Sequence, residues 1–199
     1  RVRAGDYDVA CRVLESIDYD YLRRWGHYTR VVVMREKLSG YLTVPKLQSS
    51  NVASLGRAYC ILGQLERAKR LLEEALVLIR EVGDRAEEGR YLDYLGLVYL
   101  DLGQFDSAIE LYEQTVALAH ATGDRWNECV CLGRLGVAKR CVGQVEQGIQ
   151  YQEEALAIAR GVGDRRREGI ELGGLGTSYR DLGQFDRAIQ FYHEALAIA

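Results

Sequence analysis

The chain has 199 residues, 48% of them apolar and 28% charged, and a formal net charge of −3. This balance excludes global disorder, and the slight acidity gives no electrostatic reason to expect nucleic acid or an anionic membrane as partner. No apolar run reaches the roughly 18 residues a membrane span needs, and no signal-peptide pattern is present, so a cytoplasmic location is expected. The chain starts at Arg1 and stops inside a helical pattern at Ala199, and so reads as a segment of something longer.

From the N-terminus, Gly5-Asp6-Tyr7-Asp8-Val9-Ala10 matches Gly103 to Ala108 further along, so the chain is expected to open on the second helix of a truncated repeat. A long helix is predicted from about Tyr19 to Leu38, carrying Leu22, Trp25, Tyr28, Val32 and Met34, with Ser39-Gly40 ending it. Pro45, the only proline, suits the first turn of the next helix. Residues 1–45 are thus a divergent helical lead-in.

Beyond it a 40-residue block recurs in constant register. Leu55-Gly56, Leu95-Gly96, Leu135-Gly136 and Leu175-Gly176 keep that spacing, as do Gly63-Gln64, Gly103-Gln104, Gly143-Gln144 and Gly183-Gln184. Gly83-Asp84-Arg85, Gly123-Asp124-Arg125 and Gly163-Asp164-Arg165 follow the same period. The units are 46–83, 84–123, 124–163 and 164–199, the last truncated. In the unit from Asp84, Leu92, Leu95, Gly96 and Tyr99 mark one face of a first helix. Gly103 then breaks the pattern as a left-handed cap. Phe105, Ala108, Ile109, Tyr112, Val116 and Ala119 mark a second helix, ended by Gly123. Asp84 is placed to cap the first helix, with Glu87 three residues on in a capping-box arrangement. Gly96 and Ala108 are small enough to let the two backbones approach closely. A unit that can bury its apolar face only against its neighbours defines a solenoid.

Leu-Gly-x-x-Tyr, then Gly-Gln-Phe-x-x-Ala, then an aromatic residue and Ala-Leu, resembles the tetratricopeptide repeat. The 40-residue length and the Gly-Asp-Arg junction resemble its long-helix variant. The resemblance covers about residues 46–199 and implies an all-α, right-handed superhelical solenoid of about ten helices in antiparallel hairpins. The third unit departs most, with Lys139 for Tyr99, Gly148 for Ala108, Gln152 for Tyr112, and Thr115 marking a departure in the second; it is therefore expected to pack least well. The lead-in stretch Asp-Tyr-Leu-Arg-Arg-Trp-Gly-His-Tyr resembles the segment that starts repeat arrays in bacterial STAND-type signalling ATPases, which implies a repeat arm of such a regulator.

The sequence offers little for chemistry. There is no GxxxxGK[ST] loop, and Gly173-Gly174-Leu175-Gly176 lies within a helical repeat with no strand before it. His27, His120 and His193 read as surface or rim residues. Cys11, Cys60, Cys129, Cys131 and Cys141 contain no CxxC pair and read as small apolar fillers in a reducing compartment. Glu73-Glu74 and Glu153-Glu154 read as the solvated face of second helices. No enzymatic role, cofactor or metal is expected.

A surface for binding remains. A step of ~100° per residue places Arg90, Asp93, Tyr94, Leu97, Leu100 and Asp101 opposite the packed face of their helix, and tetratricopeptide arrays use that face as their concave wall. The equivalent positions are Ser50, Ala53, Ser54, Arg57 and Cys60 in the first unit, Val130, Gly133, Arg134, Val137, Arg140 and Cys141 in the third, and Ile170, Gly173, Gly174, Thr177, Arg180 and Asp181 in the fourth. Val130 and Ile170 either join the wall or pack on the preceding unit. Arg57, Arg90, Tyr94, Leu97, Leu100, Arg134, Val137, Arg140, Thr177 and Arg180 are the candidate partner-binding residues. Ser54, Tyr94, Arg134 and Gly174 occupy the position where family members that clamp a C-terminal carboxylate carry asparagine, which argues against a chaperone-tail receptor. The expected function is a protein-interaction scaffold binding an acidic or amphipathic peptide or protein. The alternatives are nucleic-acid binding along the arginines and a self-assembling array stacked through its exposed ends.

Overall fold

The computed structural model describes residues 4–17 and 26–198. All of its regular structure is helical, and two compact units divide at residues 102 and 103, inside the second sequence repeat rather than at a repeat junction. The first unit holds α1 (Ala4–Ile17), α2 (Tyr28–Leu38), α3 (Pro45–Ile61), α4 (Leu65–Val82) and α5 (Arg85–Asp101). The second holds α6 (Phe105–Thr122), α7 (Arg125–Cys141), α8 (Val145–Val162), α9 (Arg165–Asp181) and α10 (Phe185–Leu196).

The expected capping chemistry sets these boundaries. Pro45 occupies the first turn of α3, after Val44 in an extended conformation. The turn from α7 to α8 is a Schellman motif: Gly143, at φ +83°, donates its amide to the Arg140 carbonyl, and Gln144 donates to that of Lys139. At the α6–α7 and α8–α9 junctions one aspartate serves two helices. The Asp124 amide closes α6 on the Ala119 carbonyl at 2.9 Å, while its carboxylate accepts the Asn127 amide of α7 at 3.0 Å. Asp164 does the same between Ala159 and Arg167. Asp84 caps α5 by accepting the Glu87 amide, and the Glu87 carboxylate pairs with Arg90.

Small residues let the hairpin helices cross closely. A Cβ on Gly56 would lie 2.8 Å from Leu72 Cγ and 3.2 Å from the Ala68 carbonyl oxygen. In the second unit the contact is glycine on glycine: a Cβ on either Gly136 or Gly148 would lie 2.7 Å from the other's carbonyl oxygen. Around these crossings Leu72, Ala75 and Ile79 fill the first unit, while Ile149, Leu156, Leu172 and Leu175 join α8 to α9 in the second.

Two expectations change. The single helix from Tyr19 to Leu38 is not continuous over its described part: α2 begins at Tyr28, after Gly26 at φ +71°, a conformation foreign to a right-handed helix. Leu22 and Trp25 lie outside the described residues. The third repeat also lacks the packing defects inferred from its substitutions. Gly148 meets Gly136, Gln152 is buried and accepts the Ser178 hydroxyl at 2.8 Å, and Lys139 pairs with Glu113 at 3.3 Å. Each departure from the consensus has a partner shaped to it.

Candidate partner-binding wall

In the first unit the wall positions of α3 and α5 converge. A cavity of about 640 Å³ is lined by Ser50, Ala53, Ser54 and Arg57 of α3 and by Arg90, Tyr91 and Tyr94 of α5. Arg12 and Glu15 of α1 and Tyr28, Val31 and Arg35 of α2 complete it. Arg57 and Tyr94 meet across the two repeats, 37 residues apart in sequence. The guanidinium lies 4.8 Å from the Tyr94 ring centroid and donates to its hydroxyl at 3.1 Å. Arg90 is exposed and pairs with Glu87. Leu97 and Leu100 are half-buried on α5, outside the cavity lining.

α1 and α2 are held to this wall by polar contacts. Thr43 donates its amide and hydroxyl to Asp8, which holds that carboxyl below its ordinary range. Arg35, only 1% exposed, donates to Asn51 at 3.4 Å, and Ser50 on α3 donates to Glu15 on α1. Burial pushes the Tyr91 hydroxyl up, partly offset by the neighbouring Ser49 hydroxyl.

The second unit presents a different surface. Arg140 pairs with Asp181 at 2.8 Å, and Arg180 reaches the same carboxylate, so two of the candidate arginines are tied together from α7 and α9. Hydrogen bonds from Arg180 and then Arg140 hold the Asp181 carboxyl low. Arg134 and Val137 are half-buried on α7, and Thr177 donates to the Gly173 carbonyl and lies 3.2 Å from the Tyr192 hydroxyl. The open choice for Val130 and Ile170 resolves in opposite directions: Val130 is 1% exposed and Ile170 is 48% exposed.

Several wall residues were not singled out in the sequence. Trp126, 55% exposed, lies four residues before Val130, so the helical step already in use would have reached it. Glu171 is buried against Gly133, whose missing side chain makes room for the carboxylate. Burial pushes its carboxyl up to about 7, against the opposing pull of Arg167 and Arg134. Reading the buried column Asn51, Tyr91, Cys131, Glu171 across repeats would have flagged it. Arg12, Glu15 and Arg35 carry no such signal, because the lead-in does not share the 40-residue period.

Among the described residues no three His, Cys, Asp or Glu side chains lie together in a form that could hold a metal, and no helix is long and apolar enough to cross a membrane.

Helical hairpins in 40-residue register, with small residues where α3 crosses α4 and α7 crosses α8, define a helical repeat protein. The tetratricopeptide repeat family profile matches residues 48–120 and 129–199, and the chain belongs to that family. Among solved structures, a candidate kinesin light chain of nearly identical TPR-like repeats from Podosopora anserina superposes with a TM-score of 0.78 at 20% identity, covering 100% of this chain and 96% of that one. A Rap protein complexed with competence and sporulation factor matches at TM-score 0.81 and 13% identity, over 90% of this chain and 51% of that one. Aspartyl phosphate phosphatase F from Bacillus subtilis matches at 0.79 and 15%, over 90% and 49%. The present chain spans about half the length of those last two proteins. At these identities the likeness is one of fold. No curated protein shows significant sequence similarity to the chain.

Proposed function

We propose that this chain is a non-enzymatic scaffold that binds a peptide or protein on the wall formed by its first helices. The observation that carries the reading is the convergence of Arg57, Arg90 and Tyr94, chosen from repeat position alone, on one cavity of about 640 Å³. Concave sites of that size, lined by apolar and aromatic groups with a few convergent polar ones, suit ligand side chains. The Rap structure, solved with competence and sporulation factor, is consistent with this use of the fold. In the second unit, Trp126 and Ile170 add exposed apolar surface on the two helices that also carry Arg134 and Arg180, as an acidic or amphipathic partner would require.

The scaffold is further proposed to be the sensor arm of a larger bacterial cytoplasmic regulator, which partner binding would shift between states by preferring one of them.

Selection of a random peptide library on the immobilised chain tests the binding reading. The selected peptides are then measured against Arg57→Glu with Tyr94→Ala, and against Arg134→Glu with Leu97→Asp, each variant checked by circular dichroism. Loss of binding in at least one folded variant supports the wall. Full binding by both would move the site to the outer helices and overturn the proposal.

A further inference from the structure

The cavity of the first unit has a marked charge bias. Its lining carries five cations, Arg12, Arg35, Lys46, Arg57 and Arg90, against two carboxylates, Glu15 and Glu87. Three of the cations are already engaged: Lys46 pairs with Asp84 at 2.7 Å, Arg90 pairs with Glu87, and buried Arg35 donates to Asn51. Arg57 is held differently, by the ring and hydroxyl of neutral Tyr94. Such a contact orients a guanidinium without neutralising it, leaving its charge to act on an incoming acid. The floor between these cations is apolar, with buried Leu47, Ala53 and Ala58, and Ile61 is 48% exposed at the edge.

Glu15 is the telling member of this set. It comes from α1, outside the periodic repeats, and reaches the α3 wall to accept the Ser50 hydroxyl. A carboxylate contributed by another helix thus already sits in the cationic cavity and takes a hydrogen bond from the wall. It does so where a bound acidic chain would compete for the same donors.

Building on the scaffold reading, we infer that this cavity binds an acidic, extended peptide segment carrying one apolar side chain, and that Glu15 is its intramolecular competitor. The apolar side chain rests on the Ala53 and Ala58 floor, the flanking carboxylates face Arg57 and Arg12, and Glu15 yields the Ser50 hydroxyl. The competitor sets the sign of the test. Removing its charge strengthens binding, an effect that damage to the fold would not produce.

The experiment is fluorescence anisotropy with three labelled peptides: Asp-Glu-Leu-Asp-Glu, its Gly-centred counterpart Asp-Glu-Gly-Asp-Glu, and the charge-reversed Lys-Arg-Leu-Lys-Arg. The wild-type chain should prefer the first. Arg57→Glu should weaken it about tenfold or more, with Arg57→Lys retaining most of the affinity. Glu15→Gln should strengthen it by roughly threefold, the scale of one partly exposed charge pair. Equal or better binding of the basic peptide, or weaker binding by a folded Glu15→Gln variant, overturns the inference. Free glutamate competing as well as the peptide would assign the cavity to small carboxylates and overturn it too. If library-selected peptides depend on Arg57 but are not acidic, this inference fails while the scaffold reading stands. If no selected peptide responds to any wall substitution, both fail.

Discussion

At the scale of single residues, glycines that look alike in sequence play opposite parts. Gly136 and Gly148 face each other with no room for a methyl group, since a Cβ on either would meet the other's carbonyl oxygen, a backbone atom that cannot swing away. Gly136→Ala or Gly148→Ala should therefore cost ~1–3 kcal/mol in chemical denaturation. A Cβ on Gly173, one wall position in α9, meets nothing within 4 Å, so Gly173→Ala should stabilise by about 0.5–1 kcal/mol through helix propensity. Equal effects from the two kinds of site would refute the crossing geometry. Glu171 makes a second residue-scale prediction. Its folded carboxyl is raised from 4.5 to about 7, chiefly by burial, so the native state binds a proton more tightly than the unfolded chain over that interval. Its contribution is complete below pH 4.5 and is lost as pH rises to 7, by roughly 2–3 kcal/mol. Denaturation of wild type and Glu171→Gln across this range should show the wild type losing stability relative to the variant as pH rises. A flat difference would mean that Arg167 and Arg134 neutralise the carboxylate more fully than burial opposes them.

At the scale of helices, each repeat junction carries the same buried glutamate, in one setting at two junctions and in another at the third. Glu88 accepts from Arg80 and Arg85, Glu128 from Arg125 with His120 at 3.1 Å, and Glu168 from Arg160 and Arg165. A guanidinium is always charged and offers several donors, whereas an imidazole offers fewer, so the α6–α7 junction has the weakest clamp. His120 is 75% exposed although Glu128 is buried, and His120→Arg should raise stability by only about 0.5 kcal/mol, read as a small rise in melting temperature. Asp164→Ala removes an N-cap bond and should cost about 1 kcal/mol by the same measurement. The repeat helices were legible because these local signals recur at Gly123-Asp124 and Gly163-Asp164 and need no knowledge of distant contacts. The start of α2 was not, since the apolar spacing of Tyr28 and Val32 runs smoothly back across Gly26 and only the backbone turn there reveals the break. Arg57, Arg90 and Tyr94 were legible for the reason the helices were, being fixed by phase within the repeat. Arg12 and Glu15 reach the same cavity through tertiary packing of a helix whose register no repeat predicts.

For the molecule as a whole, the sign of the net charge misleads. The chain totals −3, yet its first-unit cavity is cationic, while Glu73, Glu74, Glu153 and Glu154 lie exposed on second helices. Attraction for an acidic peptide should therefore be local and sensitive to screening. Raising sodium chloride from about 0.05 to 0.5 M should weaken Asp-Glu-Leu-Asp-Glu by roughly tenfold. A salt-independent affinity would place its binding energy in apolar contact alone.

The doubly used aspartates carry a consequence for how such chains change over time. Because Asp124 and Asp164 each end one helix with an amide and begin the next with a carboxylate, those junctions hold no spare residue. A one-residue insertion there would turn everything downstream by ~100° about its helix axis and carry a packed face into water. Lengthening by a whole 40-residue block preserves the phase of every later helix. A lineage built on this junction can gain or lose complete copies far more readily than single residues, and its diversity should accumulate as substitutions at fixed wall positions.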